Sequence, residues 1–272
     1  MLTKIVAWFS RAHPGLRALF FQRLYQYLAW FFPRKDWKFM NYGFAPLDGK
    51  QPGVCLEEAD EPNRLYIQLY HHLASQVALE GLSVLEVGSG RGGGAEYLKR
   101  YFKPARMVGL DLSTRVVEFC SRVYDLEGLD FQAGSAEDLP FPEADFDVVI
   151  NVESSHCYAS MAEFLAQTRR VLRQGGILLL ADFRRTVAMA NLRELLFSSG
   201  LSLLNELDIT PQILKALELD HEPRSRFIEE MVPRGLAGFA GQFAGTGGSK
   251  ISERLKSGET TYFSFVLQKQ PV

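Results

Sequence analysis

Cysteine is scarce in this chain: three in 272 residues (Cys55, Cys120, Cys157), odd in number and far apart. That leaves no disulfide framework and no clustered thiols for a metal, and it fits a reducing compartment. Long apolar runs are missing too; none approaches the roughly 18–20 residues that cross a bilayer. Ile5 to Phe9 is apolar but has no small-residue cleavage site behind it, so no signal peptide is expected and the cytoplasm is the expected location. Charge of one sign is also lacking. With 30 Lys and Arg against 32 Asp and Glu the net charge is −2, which excludes the basic field that holds nucleic acid. No internal repeat is apparent.

The stretch that organises the rest is Val84-Leu85-Glu86-Val87-Gly88-Ser89-Gly90-Arg91-Gly92-Gly93. Leu82 to Val87 is short and apolar, as a buried strand should be. Glycines end it, and Ala95, Tyr97, Leu98, Tyr101 and Phe102 follow at helical spacing. Such a turn leaves free N–H groups at a helix N-terminus and lets a ligand approach closely. A second strand, Val108 to Asp111, ends in an acid that can accept both hydroxyls of a ribose. A third leads into the polar corner Gly134-Ser135-Ala136-Glu137, and a fourth, Phe146 to Val152, ends at Asn151-Val152-Glu153. Four strand ends thus share the edge where open α/β sheets bind ligands. A nicotinamide dehydrogenase has the same sheet but would want Gly-x-Gly-x-x-Gly for a pyrophosphate. Gly-x-Gly-x-Gly after Glu86 suits a zwitterionic amino-acid tail better.

These residues resemble class I S-adenosylmethionine-dependent methyltransferases over roughly residues 64–200. Glu86, Gly88, Gly90 and Gly92 look like motif I, and Asp111 with Leu112 like the ribose-binding position. Ser135, Ala136 and Glu137 resemble the adenine corner, and Leu172-x-x-Gly175-Gly176 the turn before strand five. Ser135 stands where such corners usually carry an acid, so a backbone group or water is expected at the adenine amine. Lys38 to Phe44 resembles the lead-in segment of small-molecule methyltransferases that folds over the cofactor. Tyr42 and Asn151 are therefore expected beside it.

The implied fold is α/β: a Rossmann-like seven-stranded sheet with an N-terminal helical cap and a helical lid before the last strand. Strands are expected at 105–111, 129–133, 146–152, 177–183, 201–209 and 260–267, the last antiparallel. Helices are expected at 57–80 (in two pieces), 114–125, 160–172 and 187–199. Residues 1–56 form the cap segment and 57–272 the catalytic domain, with 211–257 as lid. In the cap, Leu16, Leu19, Phe20, Leu24, Tyr27, Leu28 and Phe31 recur at helical spacing, and residues 1–38 hold seven Lys and Arg against one acid, Asp36. A basic, aromatic amphipathic helix can lie in a membrane interface or pack on its own domain. Peripheral membrane contact through residues 1–35 is one expectation of that pattern.

His156, just past strand four, is the expected general base, because an imidazole titrates near neutrality and can accept a hydroxyl proton. Asp182, at the end of strand five, is expected to orient it; in related sugar and polyketide O-methyltransferases a His and an Asp at these positions form such a pair. Strand four lacks the Asn/Asp-Pro-Pro-Tyr/Phe signature of enzymes that methylate nucleobase amines. Strand five lacks the Asp-Asn pair that holds magnesium in catechol-type enzymes, so no metal is expected. Glu61-Pro62-Asn63-Arg64, Gly92-Gly93-Gly94-Ala95, Gly109-Leu110-Asp111-Leu112, Asn151-Val152-Glu153-x-Ser155-His156-Cys157-Tyr158 and Ala181-Asp182 together resemble the mycobacterial phthiotriol/phenolphthiotriol dimycocerosates methyltransferases. That resemblance implies O-methylation of a hydroxyl on a hydrophobic polyketide or lipid-like metabolite; the sequence leaves monomer and homodimer both open. Phe227, Phe239 and Phe243 in the expected lid agree with an apolar acceptor. A C-methyltransferase of sterol or tocopherol type, or a cofactor-binding scaffold of a biosynthetic complex, would use the same cofactor site.

Overall fold

Apolar strands separated by amphipathic helices leave one economical arrangement, a mostly parallel sheet with helices on both faces. The computed structural model has that arrangement. It describes residues 37–47, 54–231 and 249–270, so the expected cap helix over 1–35 lies outside the described residues. Seven strands, β1 (Ser83–Val87), β2 (Arg106–Asp111), β3 (Leu129–Ala133), β4 (Phe146–Val152), β5 (Leu172–Arg185), β6 (Ser202–Asp208) and β7 (Thr260–Gln268), form one sheet in the order β3-β2-β1-β4-β5-β7-β6. β1 to β5 run parallel, and β7 inserts antiparallel between β5 and β6.

Alternating strand residues feed two cores. Val84, Val148, Ile150, Leu179 and Val266 pack on one face, with helices α1 (Arg64–Ala74), α2 (Gly93–Phe102) and α3 (Thr114–Val123). Leu85, Val149, Leu178, Leu180 and Phe265 pack on the other, under α4 (Met161–Val171) and α5 (Thr186–Ser198). Each fully buried Leu or Val contributes about 1.5–3 kcal/mol. Helix starts follow local chemistry: Ser113 caps α3 by accepting from the Val116 N–H, and Ser160 caps α4 by accepting from Glu163.

β5 begins earlier than the expected 177. Gly175, at φ +77°, lets the chain pass Gly176 close to the Asp147 carbonyl while Leu172 pairs with Phe146. In the expected lid, α6 (Thr210–Leu219), α7 (His221–Met231) and α8 (Lys250–Lys256) are helical; residues 232–248, with Phe239 and Phe243, and the Phe227 side chain lie outside the described residues. No helix among the described residues is long and apolar enough to cross a membrane.

Candidate active site

A cleft opens at the carboxyl ends of β1, β2 and β4. The loop Gly88–Arg91, residues 111–113, the corner 134–137 and Val152–Ser154 form its walls, and a strap of residues 37–44 crosses it, with 37–41 facing the cleft. The first loop is fixed to β2 by the Gly88 and Ser89 N–H groups, which donate to the Leu110 carbonyl at 2.7 and 2.9 Å. Its glycines do different jobs. A Cβ on Gly88 would stand 2.3 Å from Ser154 Oγ, and one on Gly92 would strike Tyr124 and Phe131, so these two serve packing. A Cβ on Gly90 would meet only Met40 Sδ at 3.7 Å; this glycine turns its backbone to the cleft.

The strap is held from several sides. Buried Arg91 lies between the rings of Trp37 (4.9 Å) and Phe119 (4.3 Å), and its Nε donates to the Trp37 carbonyl. Gly93 N–H reaches the Lys38 carbonyl, and Phe44 N–H the Leu65 carbonyl. The Tyr42 N–H donates to Glu153 Oε1 at 2.9 Å.

Of the residues expected at the cofactor, Gly88, Gly90, Asp111, Leu112, Ser135, Ala136 and Glu137 lie on the cleft wall. Asp111 is aimed by N–H donors on both oxygens, Gly90 at 3.0 Å and Ser113 at 2.9 Å. Glu137 is on the wall but committed: Oε1 accepts from the Ala159 and Ser160 N–H groups, and Oε2 from Ser135 Oγ. The other expected contacts lie behind the wall. Glu86 is fully buried and accepts from Tyr70 OH at 2.7 Å, so Tyr70 is the group that reaches the cleft. Burial, with the charge of Asp111 adding to it against the Tyr70 hydrogen bond, pushes the Glu86 carboxyl up to about 8. Asn151 is buried and donates to the Val87 carbonyl, Ser154 Oγ and Tyr158 OH, bracing the wall rather than forming it. Tyr42 turns its ring away onto Phe183, with centroids 5.6 Å apart.

Beside the cleft, past Cys157, His156 Nδ1 meets Asp182 Oδ1 at 2.8 Å. The pair forms because β4 and β5 are neighbours, with Asn151 opposite Leu180 and Val152 opposite Ala181. Asp182 is fully buried and also accepts from Ser155 Oγ (2.6 Å) and the His156 N–H (2.9 Å), with Arg184 at 3.1 Å. Burial alone would lift its carboxyl, but the cations of His156 and Arg184 and these donors hold it well below the usual carboxylate range. For His156, burial disfavours the imidazolium, yet Cys157 and the Asp182 carboxylate outweigh it and raise the pKa to about 10. The sequence places this titration near neutrality; a dry, ionised partner moves it upward. An aromatic wall of Phe183, 4.4 Å from the His156 ring, and Tyr262, 6.1 Å from Phe183, completes this side.

Glu153, Tyr70, Arg91 and Tyr262 were not marked as site residues by the sequence. Glu153 has a signal, an acid just past a strand end, but its left-handed backbone (φ 47°) has none. Tyr262 comes opposite Phe183 only through the β5–β7 register.

This sheet, with an acid and a glycine loop at adjoining strand ends under a strap, is that of a class I methyltransferase. A family profile described as a methyltransferase domain matches residues 85–180. Phthiotriol/phenolphthiotriol dimycocerosates methyltransferase of Mycobacterium leprae (strain TN) is 39% identical over 232 residues, 85% of this chain and 85% of that protein. Fatty-acid O-methyltransferase of Mycolicibacterium smegmatis is 37% identical over 234 residues, covering 86% and 84%. Geranyl diphosphate C-methyltransferase from Streptomyces coelicolor A3(2), solved with S-adenosyl-L-homocysteine, shares the fold with a TM-score of 0.61 at 19% identity, covering 84% and 89%. The chain belongs to this methyltransferase family, and its cofactor is S-adenosylmethionine.

The cleft fits that cofactor on its own chemistry. Ser89 Oγ on the wall and Glu86 Oε2 behind Tyr70 are buried without a partner among the described residues, and a Cβ on Gly90 would meet nothing nearer than Met40 Sδ at 3.7 Å. Asp111 would take the ribose hydroxyls and residues 135–137 the adenine. The Gly88–Gly90 backbone with Ser89 and Tyr70 would take the methionine tail.

Proposed function

We propose that this chain transfers a methyl group from S-adenosylmethionine to a hydroxyl oxygen of a hydrophobic, polyketide- or lipid-like molecule, with His156 as general base. The observation that carries this reading is the 2.8 Å contact of His156 Nδ1 with the fully buried Asp182, beside the cleft. When bound, S-adenosylmethionine supplies an electrophilic methyl on a sulfonium, and no protein nucleophile is needed. The chain's own tasks are to hold the acceptor oxygen in line, exclude water and remove a proton. As the acceptor's C–O bond forms, its hydroxyl proton passes to the His156 imidazole. Asp182, kept ionised by Arg184 and the Ser155 hydroxyl, stabilises the imidazolium that results. Phe183, beside the His156 ring and backed by the fully buried Tyr262, offers an apolar surface suited to a greasy acceptor. The kinship with proteins named for phthiotriols and fatty acids supports the lipid-like class.

A second reading has its own observation. His156 favours its cationic form, and Arg184 shares the Asp182 carboxylate with it; two cations suit a carboxylate acceptor, which needs no base. Paired long-chain alcohols and acids, assayed by S-adenosylhomocysteine release against pH, separate the two. For an alcohol the rate climbs with pH as the imidazole loses its proton; for an acid it falls over the same range. A rate on the alcohol that is unchanged in His156→Ala removes the base assignment.

The basic, aromatic pattern of residues 1–35 supports weak docking at a lipid surface, where such acceptors reside. Flotation with anionic liposomes is expected to fall when those residues are deleted, and equal flotation refutes the docking.

A further inference from the structure

Glu153 does something the proton-transfer scheme does not use. Its backbone sits in the left-handed region, φ 47°, where a side chain with a Cβ is strained, and is pinned there by its N–H donating to the Ala181 carbonyl at 2.9 Å. The side chain lines the cleft. One oxygen, Oε1, accepts from the strap through the Tyr42 N–H (2.9 Å) and from the last strand through Tyr262 OH (3.0 Å). The other, Oε2, has no hydrogen-bond partner among the described residues. The titratable groups around it are Tyr42 on the strap, Tyr70 on α1, His156 and Cys157 past β4, Asp182 on β5 and Tyr262 on β7. Burial pushes the Glu153 carboxyl up to about 7, the nearby Asp182 charge adding to it against the two hydrogen bonds and His156.

A carboxyl poised this way responds to whatever charge shares its cleft. The donor is a sulfonium cation; the product left after transfer is a neutral thioether. A cation in the cleft favours the ionised carboxylate, and an ionised acceptor holds an N–H more strongly than a neutral one. We propose that Glu153 is a positioning residue that ties closure of the strap to the charge of the donor. Ionised, it grips the Tyr42 N–H while the sulfonium is bound; after transfer it takes a proton from solvent, its grip weakens and the product is released. The inference rests on the cofactor assignment and on nothing about the acceptor.

Calorimetric titration of the full chain at pH 7, in two buffers of different ionisation enthalpy, tests it without turnover. S-adenosylmethionine is expected to displace about half a proton, as a group near pH 7 requires, and S-adenosylhomocysteine none. Glu153→Gln is expected to displace none with either and to lose about tenfold of the preference for the sulfonium. Tyr262→Phe removes a donor to the carboxylate, so proton release at pH 7 should rise, which keeps the test open if the Gln variant misfolds. Hydrogen exchange at the Tyr42 amide should be slower with S-adenosylmethionine than with S-adenosylhomocysteine in the wild type and equal in Glu153→Gln. Proton release that persists in Glu153→Gln would place the proton on His156 or Cys157 and overturn the proposal, as would an unchanged preference. Failure of the wild type to bind either compound would instead strike the cofactor assignment.

Discussion

Replacing Asp182 by Asn changes charge and hydrogen bonding while nearly preserving shape. The carboxylate accepts from Ser155 Oγ at 2.6 Å, from the backbone N–H groups of His156 (2.9 Å) and Phe183 (2.8 Å), and meets His156 Nδ1 at 2.8 Å. An amide has one acceptor oxygen, so whichever way it turns its NH2 faces donors. Removing one partner of a buried ionic pair costs about 3–5 kcal/mol. It also removes one of the two causes that raise the His156 pKa to about 10, the other being Cys157, so the variant value falls. Histidine-selective NMR should show the wild-type imidazole still charged at pH 8 and the variant imidazole losing its proton at lower pH. Stability should move with it. A raised His pKa contributes fully below the unfolded value of ~6.5 and is lost as pH rises through about 10. The depressed Asp182 contributes fully above its unfolded value of ~3.9 and loses that contribution only as pH falls toward its folded value. Wild-type melting temperature is therefore expected to drop between pH 7 and 10, and the variant to start lower and stay nearly level. Turnover at the pH plateau should fall about 10²–10⁴-fold. A variant imidazole that titrates like the wild type would refute the pairing.

Asp111→Ala removes the anchored carboxylate on the cleft wall; calorimetry should register a loss of at least about a hundredfold in S-adenosylmethionine affinity, roughly two charge-assisted hydrogen bonds, and an unchanged affinity would undo the ribose assignment. Gly88→Ala places a methyl 2.3 Å from Ser154 Oγ at φ +78°; a destabilisation of about 3 kcal/mol, from strain and overlap together, is expected in denaturant melts, and an unaltered midpoint would refute the packing argument. Arg91→Met keeps the aliphatic stem but drops the guanidinium from between Trp37 and Phe119; hydrogen exchange across 37–41 should quicken, and equal rates would show that the strap is held elsewhere.

What the sequence made legible is what local chemistry dictates. β1, β2 and β4 end where glycine or a polar residue ends an apolar run, and His156 and Asp182 could be paired because both follow adjoining strands. The start of β5 misled because Leu172 already pairs with Phe146, while the Gly-Gly pair sits in an irregularity before regular pairing resumes at Ile177 opposite Val148. Asn151 and Glu86 carry the right residue types yet act at one remove, since packing set the wall in front of them. Glu153 was legible as an acid past a strand end but its left-handed backbone has no one-dimensional signature, and Tyr262 was out of reach because its contact with the site depends on a register between distant strands.

The insertion of β7 between β5 and β6 makes the sheet divisible. Severed at Gly258, where φ is +73° and a Cβ would meet nothing within 4 Å, the chain would yield a body with a slot between two strands and a short peptide shaped to fill it. The peptide's return would restore two ladders and deliver the Tyr262 hydroxyl to Glu153.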